Sequence, residues 1–98
     1  MTKPVKLSRF DPADHLRDEA DMVAYLEVVA EEHPNDPAAI LRALGVVARA
    51  QNMSKLARDA SMTREGLYKA LSGEGNPSFA NVARVCAALG LRVSFEPV

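Results

Sequence analysis

The chain has 98 residues, of which 48% are apolar and 26% are charged, with 12 basic and 13 acidic side chains. A chain of this length is expected to form one domain with a single small core, and burial of further surface against a partner would add to its stability. No stretch approaches the apolar length of a membrane span, the first residues lack the apolar core of a secretory signal, and one cysteine permits no internal disulfide. These features predict a cytoplasmic protein with no redox role.

The charges are unevenly divided along the chain. Residues 1–36 carry nine acidic and four basic side chains, whereas residues 37–98 carry four acidic and eight basic ones. This asymmetry predicts two faces with different partners, a basic face suited to phosphate groups and an acidic face suited to a basic protein. Two ordinary solvated surfaces are the alternative.

Helix-start signals recur in the N-terminal half. Asp11 followed by Pro12 is typical of an N-cap and a first helical residue, and predicts a short helix that ends near residues 16–17. Asp18, with acidic residues in the turn that follows, predicts a second helix to about Glu32. Apolar residues at helical spacing predict that this second helix buries Met22, Tyr25, Leu26 and Val29.

The next helices are indicated by the same kind of signal. Asp36 and Pro37 predict a helix to about Ala50, with a buried face of Ile40, Leu44, Val47 and Ala48. Ser54 and Thr63 are predicted to cap two short helices, and Ser78 to cap a last one. That last helix is predicted to end at Gly90 and to bury Phe79, Val82, Cys86 and Leu89.

The C-terminal residues 91–96 alternate apolar and polar side chains, which predicts a strand. A strand needs a partner for its backbone groups, and the other alternating stretch is residues 5–8. Either these two stretches pair, within or between chains, or the tail pairs with its own copy across a two-fold axis. Both arrangements favour a dimer.

Residues 53–75 have the pattern of a helix-turn-helix, in which a brief turn near Ser61 lets the second helix project across the first. Ala57 is small where the helices approach, and Gly66, which costs about 1 kcal/mol relative to Ala inside a helix, predicts a tight backbone contact. The residues predicted to be buried between the helices are Leu56, Ala60, Met62, Leu67, Ala70 and Leu71. The second helix turns a polar stripe outward, made of Arg64, Glu65, Tyr68, Lys69 and Ser72.

This motif resembles the DNA-binding domains of Cro/repressor-type (Xre-like) proteins. Residues 53–90, with the turn SGEGNPSF and the ending ARVCAALGLRVSF, are similar to the antidote proteins (antitoxins) of host-inhibition-of-growth type toxin–antitoxin modules. The opening FDPADHL and the acidic helix after it fit the same group, so the resemblance covers about residues 9–96. It implies a dimeric repressor of its own operon that also silences a small basic toxin, typically an RNA-cleaving one. The family often has Gly in the turn where this chain has Ser61.

A recognition helix that begins at Thr63 would enter the major groove with its N-terminus first, where Arg64, Glu65 and Tyr68 reach base edges. Arg64 could bind guanine and Glu65 could accept from cytosine, each worth about 1–3 kcal/mol of discrimination. The other predicted contacts lie nearer the phosphates or at helix ends. The full predicted DNA-binding set is Ser54, Lys55, Arg58, Thr63, Arg64, Glu65, Tyr68, Lys69, Ser72 and Asn76.

Simpler interpretations remain for individual residues. The helix pair could be an ordinary antiparallel pair, Tyr68 a rim aromatic, and Glu65 a partner of Lys69. Arg64 could contact a phosphate instead of a base. His15 and His33 have no ligand-like spacing, and the sequence predicts no metal site, no cofactor and no catalytic group.

The sequence therefore predicts an all-α, repressor-like helix-turn-helix domain of five or six helices with a short C-terminal β-strand. Residues 1–98 form one domain, with an acidic N-terminal extension and helices over 1–35, the helix-turn-helix core over 36–90 and the strand over 91–96. The predicted function is sequence-specific repression at an operator in double-stranded DNA by a homodimer. The second predicted role is neutralisation of a small basic toxin through the acidic residues 11–32. The alternatives are an antidote that does not read DNA, and a repressor unconnected with any toxin.

Overall fold

The computed structural model describes residues 18–97, and these residues contain five α-helices. The helices are α1 (Glu19–Glu32), α2 (Pro37–Arg49), α3 (Met53–Asp59), α4 (Arg64–Ala70) and α5 (Phe79–Ala88). The predicted all-α class is confirmed over this range. The helix predicted after Asp11 and the alternating residues 5–8 lie outside the described residues.

Each helix begins with a short polar side chain that accepts a hydrogen bond from the backbone N–H three residues later. The caps predicted at Asp18, Asp36, Thr63 and Ser78 are confirmed. The cap predicted at Ser54 is wrong, because the Asn52 side chain accepts from the Lys55 N–H at 3.0 Å and α3 therefore begins earlier. Ser54 lies within the first turn of α3 and is exposed.

The core lies where α2, α3, α4 and α5 meet, and its largest fully buried side chains are Val47, Leu67 and Val85. α2 packs against both α1 and α3, and α3 packs against both α4 and α5. α1 contributes one buried side chain, Met22, together with the partly buried Tyr25 and Leu26. No polar or charged side chain of residues 18–97 is buried, so apolar contact alone fills the core.

The buried face of α5 differs from the predicted one. Val82, Cys86 and Leu89 pack in or against the core as predicted, but Phe79 is 64% exposed and Val85 is fully buried. Phe79 is the first residue of α5 and lies at the rim of a surface groove, beyond the end of the core. Burial raises the pKa of the Cys86 thiol, which is consistent with its place on the apolar face.

Two helices end in the same backbone motif. At the end of α5, Gly90 has φ +81° and the Leu91 N–H donates to the Cys86 carbonyl at 2.8 Å. At the end of α3, Ser61 has φ +58° and the Met62 N–H donates to the Ala57 carbonyl at 2.8 Å. Both are Schellman motifs, in which one residue takes a left-handed conformation so that the last carbonyls find donors.

The strand predicted over residues 91–96 does not form in the described chain. Residues 91–97 are not part of a strand, and no backbone hydrogen bond joins residues 92–97 to another described residue. The alternating pattern describes how the side chains would be divided between two faces, but a strand also needs a neighbouring strand. Residues 18–97 contain no such neighbour.

Candidate nucleic-acid interface

The helix pair predicted within residues 53–75 is formed by α3 and α4, which pack against each other across the turn 60–63. Its predicted inner face is confirmed, because the apolar residues that the pattern assigned to it are buried or half-buried. The buried members are Leu56, Ala57, Ala60, Leu67 and Leu71, and the half-buried ones are Met62 and Ala70. The opposite faces of the two helices are therefore turned toward solvent.

Gly66 does not make the tight backbone contact that its position predicted. A Cβ atom at Gly66 would lie 2.9 Å from the Thr63 hydroxyl oxygen, which itself accepts from the Gly66 N–H at 2.9 Å. The neighbour is thus the cap of the same helix rather than the backbone of another one. A residue without a side chain at this position leaves room for the cap.

The exposed face of α4 carries Arg64, Glu65, Tyr68 and Lys69. The Arg64 guanidinium carbon lies 5.9 Å from the centre of the Tyr68 ring, which is a cation–π distance. Glu65 and Lys69, which the sequence allowed to pair, make no ion pair within the described part of the chain. Arg64 is thus held beside Tyr68, while Glu65 and Lys69 project separately.

A second group of predicted contacts lies on α3, where Ser54, Lys55 and Arg58 are exposed. The Lys55 ammonium lies 2.8 Å from an Asp59 carboxylate oxygen. Its hydrogen bond, together with the positive charges of Lys55 and Arg58, holds the pKa of Asp59 below its ordinary value. Lys55 is therefore partly neutralised by a neighbour on its own helix.

Ser72 and Asn76 lie in the loop beyond α4 and have different surroundings. The Ser72 hydroxyl donates to the Lys69 carbonyl at 3.0 Å and accepts from the Glu74 N–H at 3.2 Å, so it closes the end of α4. Asn76 lines a shallow groove of about 210 Å³ together with Lys69 and Gly66. The structure thus brings Lys69 and Asn76 to one surface.

Two arginines that the sequence analysis did not select lie beside α4. Arg42 and Arg49 line a groove of about 440 Å³ between α2 and α4, together with Tyr68 and Ser72. Their spacing of seven residues puts both on one face of α2, a signal that the sequence contained. Arg42 also lies 4.0 Å from an Asp36 carboxylate oxygen. The positive charge beside α4 is therefore greater than the predicted set alone supplies.

α1 has the opposite character, with five acidic and no basic side chains over Glu19–Glu32. Within residues 18–97, no group of three or more His, Cys, Asp or Glu side chains is arranged to hold a metal ion. No helix of that range is long and apolar enough to cross a membrane. What the described surface offers is charge of opposite sign on α1 and on the α3–α4 pair.

Comparison with known proteins identifies the family. A family model described as "Probable addiction module antidote protein" matches residues 6–97. An uncharacterized protein of Haemophilus influenzae is 52% identical over 91 residues, which is 93% of this chain and 92% of that protein. No solved structure matches significantly. On these matches, the chain belongs to the family of probable addiction module antidote proteins.

Proposed function

We propose that this antidote is also a sequence-specific DNA-binding repressor, with the α3–α4 pair acting as a helix-turn-helix and α4 as its recognition helix. The observation that carries the proposal is the exposed face of α4, whose polar residues project from a pair that buries its apolar residues. Such a helix fits the width of the major groove, and its N-terminal residues come nearest to the bases. The protein acts by binding rather than catalysis, in the cytoplasm.

Specificity is assigned to the start of α4. Arg64 binds guanine through two hydrogen bonds, or a neighbouring phosphate, and its contact with Tyr68 limits the conformations it must lose on binding. Glu65 accepts from cytosine. Thr63 caps the helix and so orients its N-terminus.

Orientation on the duplex is assigned to the residues around α4. Lys55, Arg58 and Lys69 contact phosphates, as do Ser54 and Asn76. Arg42 and Arg49 extend this positive surface along the groove beside α4. Phosphate contacts fix the register of the protein on DNA without reading sequence.

A single recognition helix covers only a few base pairs, so operator specificity requires two copies about 34 Å apart on a near-palindrome. The repressor therefore acts as a homodimer.

The family assignment implies a toxin partner. We assign toxin binding to the acidic residues 11–32, which include the described α1, because a small basic toxin would be attracted to that surface.

Titration of DNA from upstream of the gene, followed by fluorescence anisotropy, tests the repressor. Arg64→Ala should weaken the free energy of binding to the operator by about 1–3 kcal/mol and reduce the preference for the operator over other sequences. Lys69→Ala should weaken binding to all sequences and reduce the salt dependence by about one phosphate contact. Arg84→Ala is the matched control, because it removes one positive charge from α5, outside the predicted set.

Two results would overturn the assignment. Unchanged specific binding by the combined Arg64→Ala and Lys69→Ala protein would show that α4 is not the reading helix. An antidote that binds its toxin but has no operator affinity would be a protein-interaction module. A small basic protein encoded next to this gene should co-purify with the chain, and undiminished complex formation after removal of residues 1–35 would exclude the acidic surface.

A further inference from the structure

The C-terminal tail, residues 91–97, has little pairing with the rest of the described chain beyond Leu91. No backbone hydrogen bond joins residues 92–97 to another described residue. Phe95 is 88% exposed and Val93 is 38% exposed, although their alternation with polar residues is that of a half-buried strand. Within residues 18–97, the tail therefore has the pattern of a strand without the pairing of one.

The tail lies along an apolar groove of about 400 Å³. One wall is formed by Val23 and Leu26 of α1, another by Phe79 and Val82 of α5, and Ile40 of α2 also lines it. Val23 and Phe79 are among the large apolar side chains that remain exposed. An apolar groove with large exposed side chains at its rim can gain burial from another protein chain.

We propose that a second copy of this chain covers the groove, and that the two tails pair as an antiparallel two-stranded ribbon centred on Ser94. This inference rests on the proposed function, which requires a homodimer, and it adds the surface through which the two copies bind each other. Each tail supplies the neighbouring strand that residues 18–97 of the other do not contain. A ribbon of two strands is marginal by itself in water, and the apolar groove beneath it supplies the additional burial that it needs.

The register follows from charge and from the alternation. With the two-fold axis at Ser94, Arg92 lies opposite the partner subunit's Glu96, and Glu96 opposite the partner's Arg92. Val93 then lies opposite the partner's Phe95, so apolar residues meet apolar residues on the other face. Moving the axis to Val93 or Phe95 keeps the faces but loses both opposite-charge pairs. Moving it by half a residue sets apolar side chains opposite polar ones.

In one chain the tail is not extended as a strand: Arg92, Ser94 and Glu96 line the groove together with Leu91 and Val93, and Phe95 lies outside it. Leu91 packs against the core and begins the alternation, so it sets the inner face of the tail once pairing extends it. Residues two and four positions later, Val93 and Phe95, lie on the same side of a strand. Pairing therefore turns the partner's Phe95 over the groove and turns the charged pairs to solvent. The groove shares no lining residue with the predicted DNA-binding set, so this interface leaves α4 free for DNA.

The register is tested with charge reversals in the full chain, with the dimer dissociation constant measured by sedimentation without DNA. Arg92→Glu alone and Glu96→Arg alone each set like charges opposite each other twice per dimer, and each should weaken the dimer about tenfold. Mixing the two variants should restore wild-type affinity as a heterodimer, because each Glu then faces an Arg. Arg84→Glu, on an exposed site of α5, is the control and should change nothing.

The groove is tested with Phe95→Ser, which should weaken the dimer about a hundredfold, since two large apolar side chains lose their burial. Its monomer should unfold like the wild type because Phe95 is exposed in one chain. Val28→Ser, at a site 48% exposed on α1 outside the groove, is the control.

A monomeric wild-type chain would overturn the inference and leave the groove to another occupant. A dimer indifferent to Phe95→Ser, or charge variants that do not restore each other, would also overturn it. A dimer that responds as expected but binds no operator would refute the proposed function alone. Operator binding by a dimer indifferent to these changes would refute this interface alone.

Discussion

Two regions of the molecule differ in how much apolar surface they leave exposed. One is the α3–α4 pair, and the other is the surface formed by α1, the start of α5 and the tail. In the pair, the inner apolar residues are buried and the exposed residues of α4 are mostly polar. On the other surface, Val23, Phe79 and Phe95 remain exposed beside a helix with five acidic side chains. The first surface is complete in one chain and offers charge, whereas the second leaves apolar area that another protein chain can bury.

The two regions also differ in what holds them to the core. α4 is fixed by Leu67, which is fully buried, and by Leu71. α1 is twice as long, 14 residues against 7, but has one buried side chain, Met22, whose sulfur is 3.8 Å from the Gln51 side-chain nitrogen, and the half-buried Tyr25 and Leu26. Local opening is easier where fewer apolar contacts must be broken. We therefore expect the acidic surface to be the more adaptable of the two.

The largest effect is expected from Leu67→Ala, which removes the most buried side chain of the pair. Loss of its burial, and the cavity left behind, should lower the free energy of unfolding by about 3–4 kcal/mol. Val28→Ala, at an exposed site on α1, should lower it by less than about 0.5 kcal/mol. Urea unfolding followed by circular dichroism measures both. Equal losses would show that the two regions are packed alike.

A smaller effect is expected from the helix caps. Asn52→Ala removes the acceptor for the Lys55 N–H and should cost about 1 kcal/mol of unfolding free energy. Ser54→Ala, two residues later, should cost almost nothing, because Ser54 is exposed within α3 and is not its cap. Thermal unfolding of the two variants shows whether Asn52 or Ser54 caps α3. A larger loss for Ser54→Ala would restore the cap predicted from the sequence.

These caps show which parts of the fold are readable from the sequence. Asp18, Asp36 and Thr63 were predictable because a cap and its donor are three residues apart, and the contact is local. Asn52 was missed because two polar residues compete for one helix start. The choice depends on where α2 ends, which is set by packing.

Features that depend on contacts between distant residues were less accessible. The apolar spacing of α5 predicts a stripe but not where the core beneath it ends, so it assigned Phe79 to the interior. The alternation of residues 91–96 defines two faces but supplies no neighbouring strand. Arg42 and Arg49 join the candidate site only because α2 lies beside α4. Periodicity alone does not give that arrangement.

The turn within the pair offers a third comparison, because α3 and α5 end in the same motif with different residues. Ser61 at φ +58° bears a strain that Gly90 at φ +81° does not. Ser61→Gly should therefore raise the free energy of unfolding by about 0.5–1 kcal/mol. Gly90→Ala should lower it, because a side chain is strained at φ +81°, while the nearby Glu19 carboxylate can move aside. A loss on Ser61→Gly in thermal unfolding would mean that the serine makes a contact worth more than the strain.

The smallest effect concerns the ion pair between Lys55, a proposed phosphate contact, and Asp59 on the same helix. Asp59 holds Lys55, and the pKa of Asp59 is lowered chiefly by that hydrogen bond, so its carboxylate stays charged at neutral pH. Asp59→Asn should free Lys55 for a phosphate and remove one repulsive charge, which should strengthen DNA binding about two- to fivefold at low salt. The gain should shrink as salt rises. Fluorescence anisotropy at several salt concentrations measures it.

Glu31→Gln is the matched control for this last change, since it removes one negative charge from α1. If DNA affinity depends only on the total charge of the protein, the two variants will bind DNA with equal affinity. That result would contradict a separate basic surface on the α3–α4 pair. If DNA affinity depends on the charge of the α3–α4 pair, only Asp59→Asn will show the gain in affinity. The comparison needs no knowledge of the operator, because phosphate contacts act on any sequence.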